Sequence, residues 1–134
     1  MTQTTSVRQA VVPPSMERMV SRLHFSPAIR AGGLLFVSGQ VGSDVDQSIP
    51  DGAPAQIDVA LANLGRVLRE AGLDFDRVVE INSFHVGDMA AHMPHFVEAI
   101  PKHFPEPYPA WTAVQVAGLA HPKLIVEIKA IALA

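Results

Sequence analysis

The sequence predicts an α+β fold, with one mixed sheet carrying two helices on one face. Three observations predict it. A single long segment, Ile57 to Ala71, repeats its apolar residues at helical spacing, while several short apolar runs are bounded by glycine and proline. The elements follow one another as strand, strand, helix, strand, helix, strand, strand, which is no regular βα alternation. The chain has 134 residues, 49% of them hydrophobic and 17% charged. That suffices for one core and is short for two, so residues 1–134 read as a single domain.

The elements are justified in order. Residues 1–6 are short and polar, the composition of a frayed end. Residues 7–12 suit a short edge strand stopped by Pro13 and Pro14. The stretch from Ser15 to Pro27 is mixed, and Phe25-Ser26-Pro27 reads as extended or turning chain, because the residue before a proline is pushed out of the α region. Ala31-Gly32-Gly33 marks a turn, and Leu34 to Ser38 behind it a buried strand. A loop rich in Asp, Ser, Pro and Gly runs from Gly42 to about Pro54.

Ile57, Ala60, Leu61, Leu64, Val67, Leu68 and Ala71 then share one helical face, with Asp58, Asn63, Arg66 and Arg69 turned elsewhere and Gly72 placed as a C-terminal cap. Val78 to Val86 alternates as a strand, with Val78, Glu80, Asn82, Phe84 and Val86 expected on one side. A second helix is expected from about Met93 to His103, with Pro94 in its first turn and Pro101 ending or kinking it. Strands at Ala110–Val116 and Leu124–Ala132 close the chain around a Gly118 to Pro122 turn. A sheet covered on one face leaves its other face apolar, which predicts self-association.

Composition excludes several functions. Ten Lys+Arg against thirteen Asp+Glu give a net charge of -3, unlike the clustered cations of a nucleic-acid binder. The absence of cysteine removes disulfides, thiolate metal sites and thiol nucleophiles. No apolar run approaches the ~20 residues of a membrane span. The N-terminal residues lack the apolar centre of a secretory signal, so a soluble cytoplasmic protein is expected.

Candidate chemistry is sparse. His92, His95 and Glu98 stand three apart and would share a helical face, as three ligands of a metal would. Pro94 lies among them and the spacing matches no zinc signature, so no metal is expected. Ser38 ends a strand before Gly39, where a hydroxyl and backbone N–H groups can meet a ligand or simply finish the strand. It is no nucleophile elbow, since Phe36 stands where that motif has glycine. Glu127 is an acid inside the apolar run Leu124 to Ile128. It is either a pocket carboxylate with a raised pKa or a surface partner of Lys129, two residues on.

Taken together, certain segments resemble a known family. These are Phe25 to Ile29, Phe36 to Val41 with Ser38-Gly39-Gln40, Ala62 to Gly72, Phe84 to Val86, Tyr108 to Val114 and Val126 to Ala132. They resemble the RidA (YjgF-like) enamine/imine deaminases from Phe25 to the C-terminus. Leu119 to Lys129 is also similar to 2-aminomuconate deaminase, a relative within that superfamily. The resemblance implies a chorismate-mutase-like fold, a homotrimer with clefts between neighbouring subunits, a small-molecule substrate and no metal or organic cofactor. It assigns Glu127 to water activation as the catalytic residue, and Ser38, Gly39 and position 25 to the lining of the cleft.

Two positions depart from the family pattern. Trp111 stands where active members have the arginine that grips the substrate carboxylate, and Phe25 stands where they have tyrosine. No asparagine follows Asn82 to supply the one often found on the second helix. An indole has one N–H and no charge, so a carboxylate ligand would lose roughly 2–5 kcal/mol unless another cation replaces the guanidinium. A flatter, less anionic ligand stacked on Trp111 is the expectation. Two functions follow: an imine or enamine hydrolase of altered preference with little activity on 2-aminoacrylate, or a trimeric ligand-binding protein without turnover. The older ribonuclease label of the same family fits poorly with the net charge.

Overall fold

The computed structural model describes residues 7–134; the polar segment 1–6 lies outside the described residues. Six strands form one sheet, β1 (Gln9–Val11), β2 (Ala28–Ala31), β3 (Leu34–Val41), β4 (Val78–Val86), β5 (Ala110–Val116) and β6 (Val126–Leu133). The helices are α1 (Glu17–Leu23), α2 (Ala53–Glu70) and α3 (Met89–His103). Strand order is β1-β2-β3-β6-β4-β5, with β4 and β5 parallel and every other pair antiparallel. The last strand thus enters the middle of the sheet. The parallel pair requires a crossover, which α3 supplies.

α2 forms where the periodicity predicts and packs Ile57, Ala60, Leu61, Leu64, Val67 and Leu68, all fully buried, into a core shared with Leu35, Val37, Ile81, Phe96, Ile128 and Ala130. Its end is a Schellman cap. Gly72 takes φ 78°, its N–H donates to the Arg69 carbonyl, and the Leu73 N–H donates to the Leu68 carbonyl. Arg30 of β2 satisfies a further carbonyl, that of Ala71, at 2.7 Å. Asn63 is buried rather than turned to solvent, because its amide donates to the carbonyls of Val41 and Ser43 and so holds the end of β3.

Several elements differ from the sequence expectation. β2 was not expected, yet Gly32 and Gly33 both have positive φ, the geometry of a two-residue hairpin turn, and such a turn requires a strand on each side. α1 is a third helix. It buries no residue and so leaves no apolar period to read. β3 continues past Ser38 to Val41, and α3 begins at Met89 with Asp88 as its N-cap, four residues before the expected start. Pro94 therefore sits in the helix interior; it and Ala90, whose carbonyl its missing N–H would have met, are both exposed. Pro101 is held within the last turn instead of ending the helix. In β4, a register shift between Val78 and Glu80 turns Val78 inward with Ile81, Ser83 and His85, leaving Val79 exposed.

Gln56 anchors the loops that flank the sheet end. Its buried amide donates to the carbonyls of Pro50 and Lys123 and accepts from the Ile125 N–H, so one side chain joins residues on both sides of the site. Gly42 lies so close that a Cβ there would meet the Gln56 Cβ at 2.5 Å.

Candidate functional site

The site begins at an irregularity in the ladder between β3 and β6. Val37 pairs with Ala130 and Gln40 with Ile128, so Ser38 and Gly39 together oppose Lys129 alone. This bulge keeps Val37 and Gln40 both buried on the helix side and turns the chain between them toward the open face. β2 pairs with β3 only as far as Val37, so the stretch after it has no strand neighbour on that side.

Glu127 lies on β6 between Val41 of β3 and Phe84 of β4, on the face opposite the helices. A Cβ on Gly39 would fall 2.5 Å from both its Cδ and its Oε2, so the carboxyl group fills the space that only glycine leaves. Desolvation raises the Glu127 pKa above the ordinary carboxylate value, and the charge of Lys129 offsets this only in part. Among the described residues no hydrogen bond or ion pair engages this carboxyl group, and Lys129 acts on it through its field rather than by contact. A half-buried, unengaged carboxyl of raised pKa is suited to taking a proton from water.

Ser38 donates its hydroxyl to the Ser26 carbonyl at 2.6 Å, and its N–H to the Pro27 carbonyl at 2.9 Å. It thus fastens the Phe25-Ser26-Pro27 segment beside Gly39, and its one hydroxyl proton is committed to that bond. Phe25 is partly exposed at 38%. A cleft of about 530 Å³ runs along Gly39, Gln40 and Val41, walled by α1 and the loop of residues 43–49; Phe25, Ser38, Trp111 and Glu127 are not among its lining residues.

Trp111 does not join this group. It pairs with Ile81 on the helix-covered face, stacks on Phe96 of α3 at a centroid distance of 5.0 Å, and donates its only N–H to Ser83 Oγ at 2.8 Å. Within one chain it is on the opposite side of the sheet from Glu127, and its N–H is unavailable to a ligand. Within its own chain the ring thus completes the α3 contact and forms no stacking platform beside that chain's Glu127. Ser83 Oγ, accepting from Trp111, has its own proton for Nε2 of the fully buried His85, 2.8 Å away. Burial, and secondarily the neighbouring His92, lower the His85 pKa.

The three residues weighed as a metal set point apart. His95 reaches Asp58 on α2 at 3.4 Å, Glu98 pairs with Lys102 at 3.7 Å, and the His92 ring lies 6.1 Å from that of His85. Sequence reasoning missed the contribution of α1 to the cleft and the role of Asn63. A buried polar residue on an otherwise apolar helical face was the available signal for Asn63.

Comparison with known proteins identifies the family and the fold. The family model described as Endoribonuclease L-PSP matches residues 16–134. The chain belongs to the Endoribonuclease L-PSP (YjgF/RidA) family. Among similar members, the RutC family protein YjgH of Escherichia coli K12 is 39% identical over 114 residues, covering 84% of this chain and 86% of that one. The 2-iminobutanoate/2-iminopropanoate deaminase of Mus musculus is 38% identical over 113 residues, covering 81% and 79%. A solved structure of protein YJGH superposes with a TM-score of 0.84 at 38% identity over 96% of this chain and 97% of the other. The six-stranded sheet with its helices is thus the YjgF/RidA fold.

Proposed function

We propose that the protein is a cofactor-independent hydrolase of imines or enamines, with a substrate preference shifted away from 2-aminoacrylate. Glu127 is its general base. The observation that carries this reading is the Glu127 carboxyl, of raised pKa and unengaged, set against Gly39. Glu127 takes a proton from water as the oxygen bonds to the imine carbon and passes it to the nitrogen, giving a carbinolamine; the hydroxyl proton then moves to the nitrogen as the carbonyl forms, the C–N bond breaks and ammonia leaves. The relative named as a 2-iminobutanoate/2-iminopropanoate deaminase supports the reaction class. The shift in preference rests on Trp111, which gives the cleft no cation from β5. Three copies, packed through their open sheet faces, would form the working unit in the cytoplasm.

The test generates 2-imino acids in situ with an amino-acid oxidase, and 2-aminoacrylate with a serine dehydratase. Release of the 2-oxo acid is then followed against the uncatalysed rate. Acceleration is expected for 2-imino acids longer than three carbons, with little for 2-aminoacrylate and a loss of about 100-fold or more in Glu127→Gln. Undiminished turnover in Glu127→Gln overturns the reading. A second reading, a ligand-binding trimer without turnover, is favoured by the engagement of Trp111 with Phe96 and Ser83. It predicts ligands that raise the melting temperature and are recovered unchanged.

A further inference from the structure

The cleft beside Gly39 has an unusual wall. Ser15, Arg18, Met19, Arg22 and Leu23 all line it, a spacing that places them on one face of α1 and the turn before it. Arg18 and Arg22 are exposed, and neither guanidinium group makes a hydrogen bond or ion pair among the described residues. Asp44 is the one acid among the residues lining this cleft, and it is already occupied. It accepts from the Val45 N–H at 2.7 Å and faces Arg66 at 3.8 Å. The cleft therefore carries two uncompensated guanidinium groups. The same space is bordered by Met16, Met19, Leu23, Val41, Val45 and Leu124, and Leu23 stays 64% exposed there.

We propose that this cleft binds a small amphipathic carboxylate, with Arg18 and Arg22 holding the acid group and the apolar side chains its tail. Two arginines four apart on a helix present planar donor forks to one anion, which is how guanidinium groups recognise carboxylates. A volume of about 530 Å³ is ample for a ligand well beyond three carbons. The inference stands apart from the hydrolase reading: Glu127 is not among the residues lining this cleft, which is bordered instead by Gln40, Asn63 and α1.

The test uses 2-oxohexanoate as probe, with its methyl ester as the uncharged control, in calorimetric titrations of the intact protein. Wild type is expected to bind the acid more tightly than the ester. Arg18→Gln/Arg22→Gln should weaken acid binding about ten-fold or more, leaving ester binding and melting temperature unchanged, since both side chains are exposed. Arg18→Lys/Arg22→Lys should recover part of the loss. Equal affinity of wild type for acid and ester, or unaltered acid binding in the Gln pair, overturns the inference. The two readings fail separately. Imine hydrolysis by the wild type with no arginine-dependent binding of the acid leaves the hydrolase and removes this site. Arginine-dependent acid binding without any turnover keeps the site and removes the hydrolase.

Discussion

At the residue scale, the contact between Gly39 and Glu127 concentrates the chemistry, and it can be broken without unfolding the chain. The backbone at Gly39 does not have the positive φ of Gly32 or Gly33, so alanine is sterically admissible there except for its clash with the far end of Glu127. Gly39→Ala is expected to displace the carboxyl, lower kcat/KM about 10- to 100-fold and leave the melting temperature nearly unchanged. Steady-state kinetics alongside thermal melts check this, and an undiminished kcat/KM would show that the contact has no catalytic consequence. The place of Trp111 in the motif suggests a replaced ligand anchor, while within its own chain its side chain serves the α3 contact. Trp111→Arg should cost stability through the lost Phe96 stacking and raise pyruvate release from 2-aminoacrylate above the wild type, whereas no increase would remove position 111 from the site.

At the element scale, α2, β4 and β6 were legible because each buries a continuous face and so writes a period into the sequence, whereas β5 is an edge strand with no buried residue. α1 and β2 were not legible. α1 buries nothing, and β2 has only four residues, its position set by the Gly32–Gly33 hairpin and the bond from Arg30 to Ala71. Glu127, Ser38 and Gly39 were readable as a group through family resemblance; the arginines of α1 carried no pattern to find.

The junction of β4 with α3 has its own pH signature. His85 is fully buried, faces Ser83 on its own strand and His92 and Phe96 on α3, and has its pKa lowered in the folded state. The unfolded chain binds the proton more readily, so stability falls as pH drops below about 6.5, by at most about 1.4 kcal/mol per pH unit for this group. Melts of wild type and His85→Gln between pH 8 and 5 should show a shallower fall in the variant. Parallel curves would assign the dependence to other groups.

At the scale of the whole molecule, the sheet face opposite the helices exposes Phe36 and Leu133 at 44% each and Val114 at 39%, close to the half-buried Phe84 and Ile131. Such a face in an isolated chain calls for a partner, and a homotrimer is the expected one. Light scattering should give three times the 14.4 kDa chain mass, and Phe36→Lys should lower it. A monomer in the wild type would remove the inter-subunit setting of the cleft. The central claim remains that Glu127 is the base, and its raised pKa allows a direct measurement. The acceleration of 2-iminohexanoate hydrolysis over the uncatalysed rate, recorded against pH, should lose activity on the acid side at a pH above the ordinary carboxylate value, because only the deprotonated carboxyl accepts a proton. That limb should vanish together with the activity in Glu127→Gln. The same acid limb and a similar rate in Glu127→Gln would contradict it.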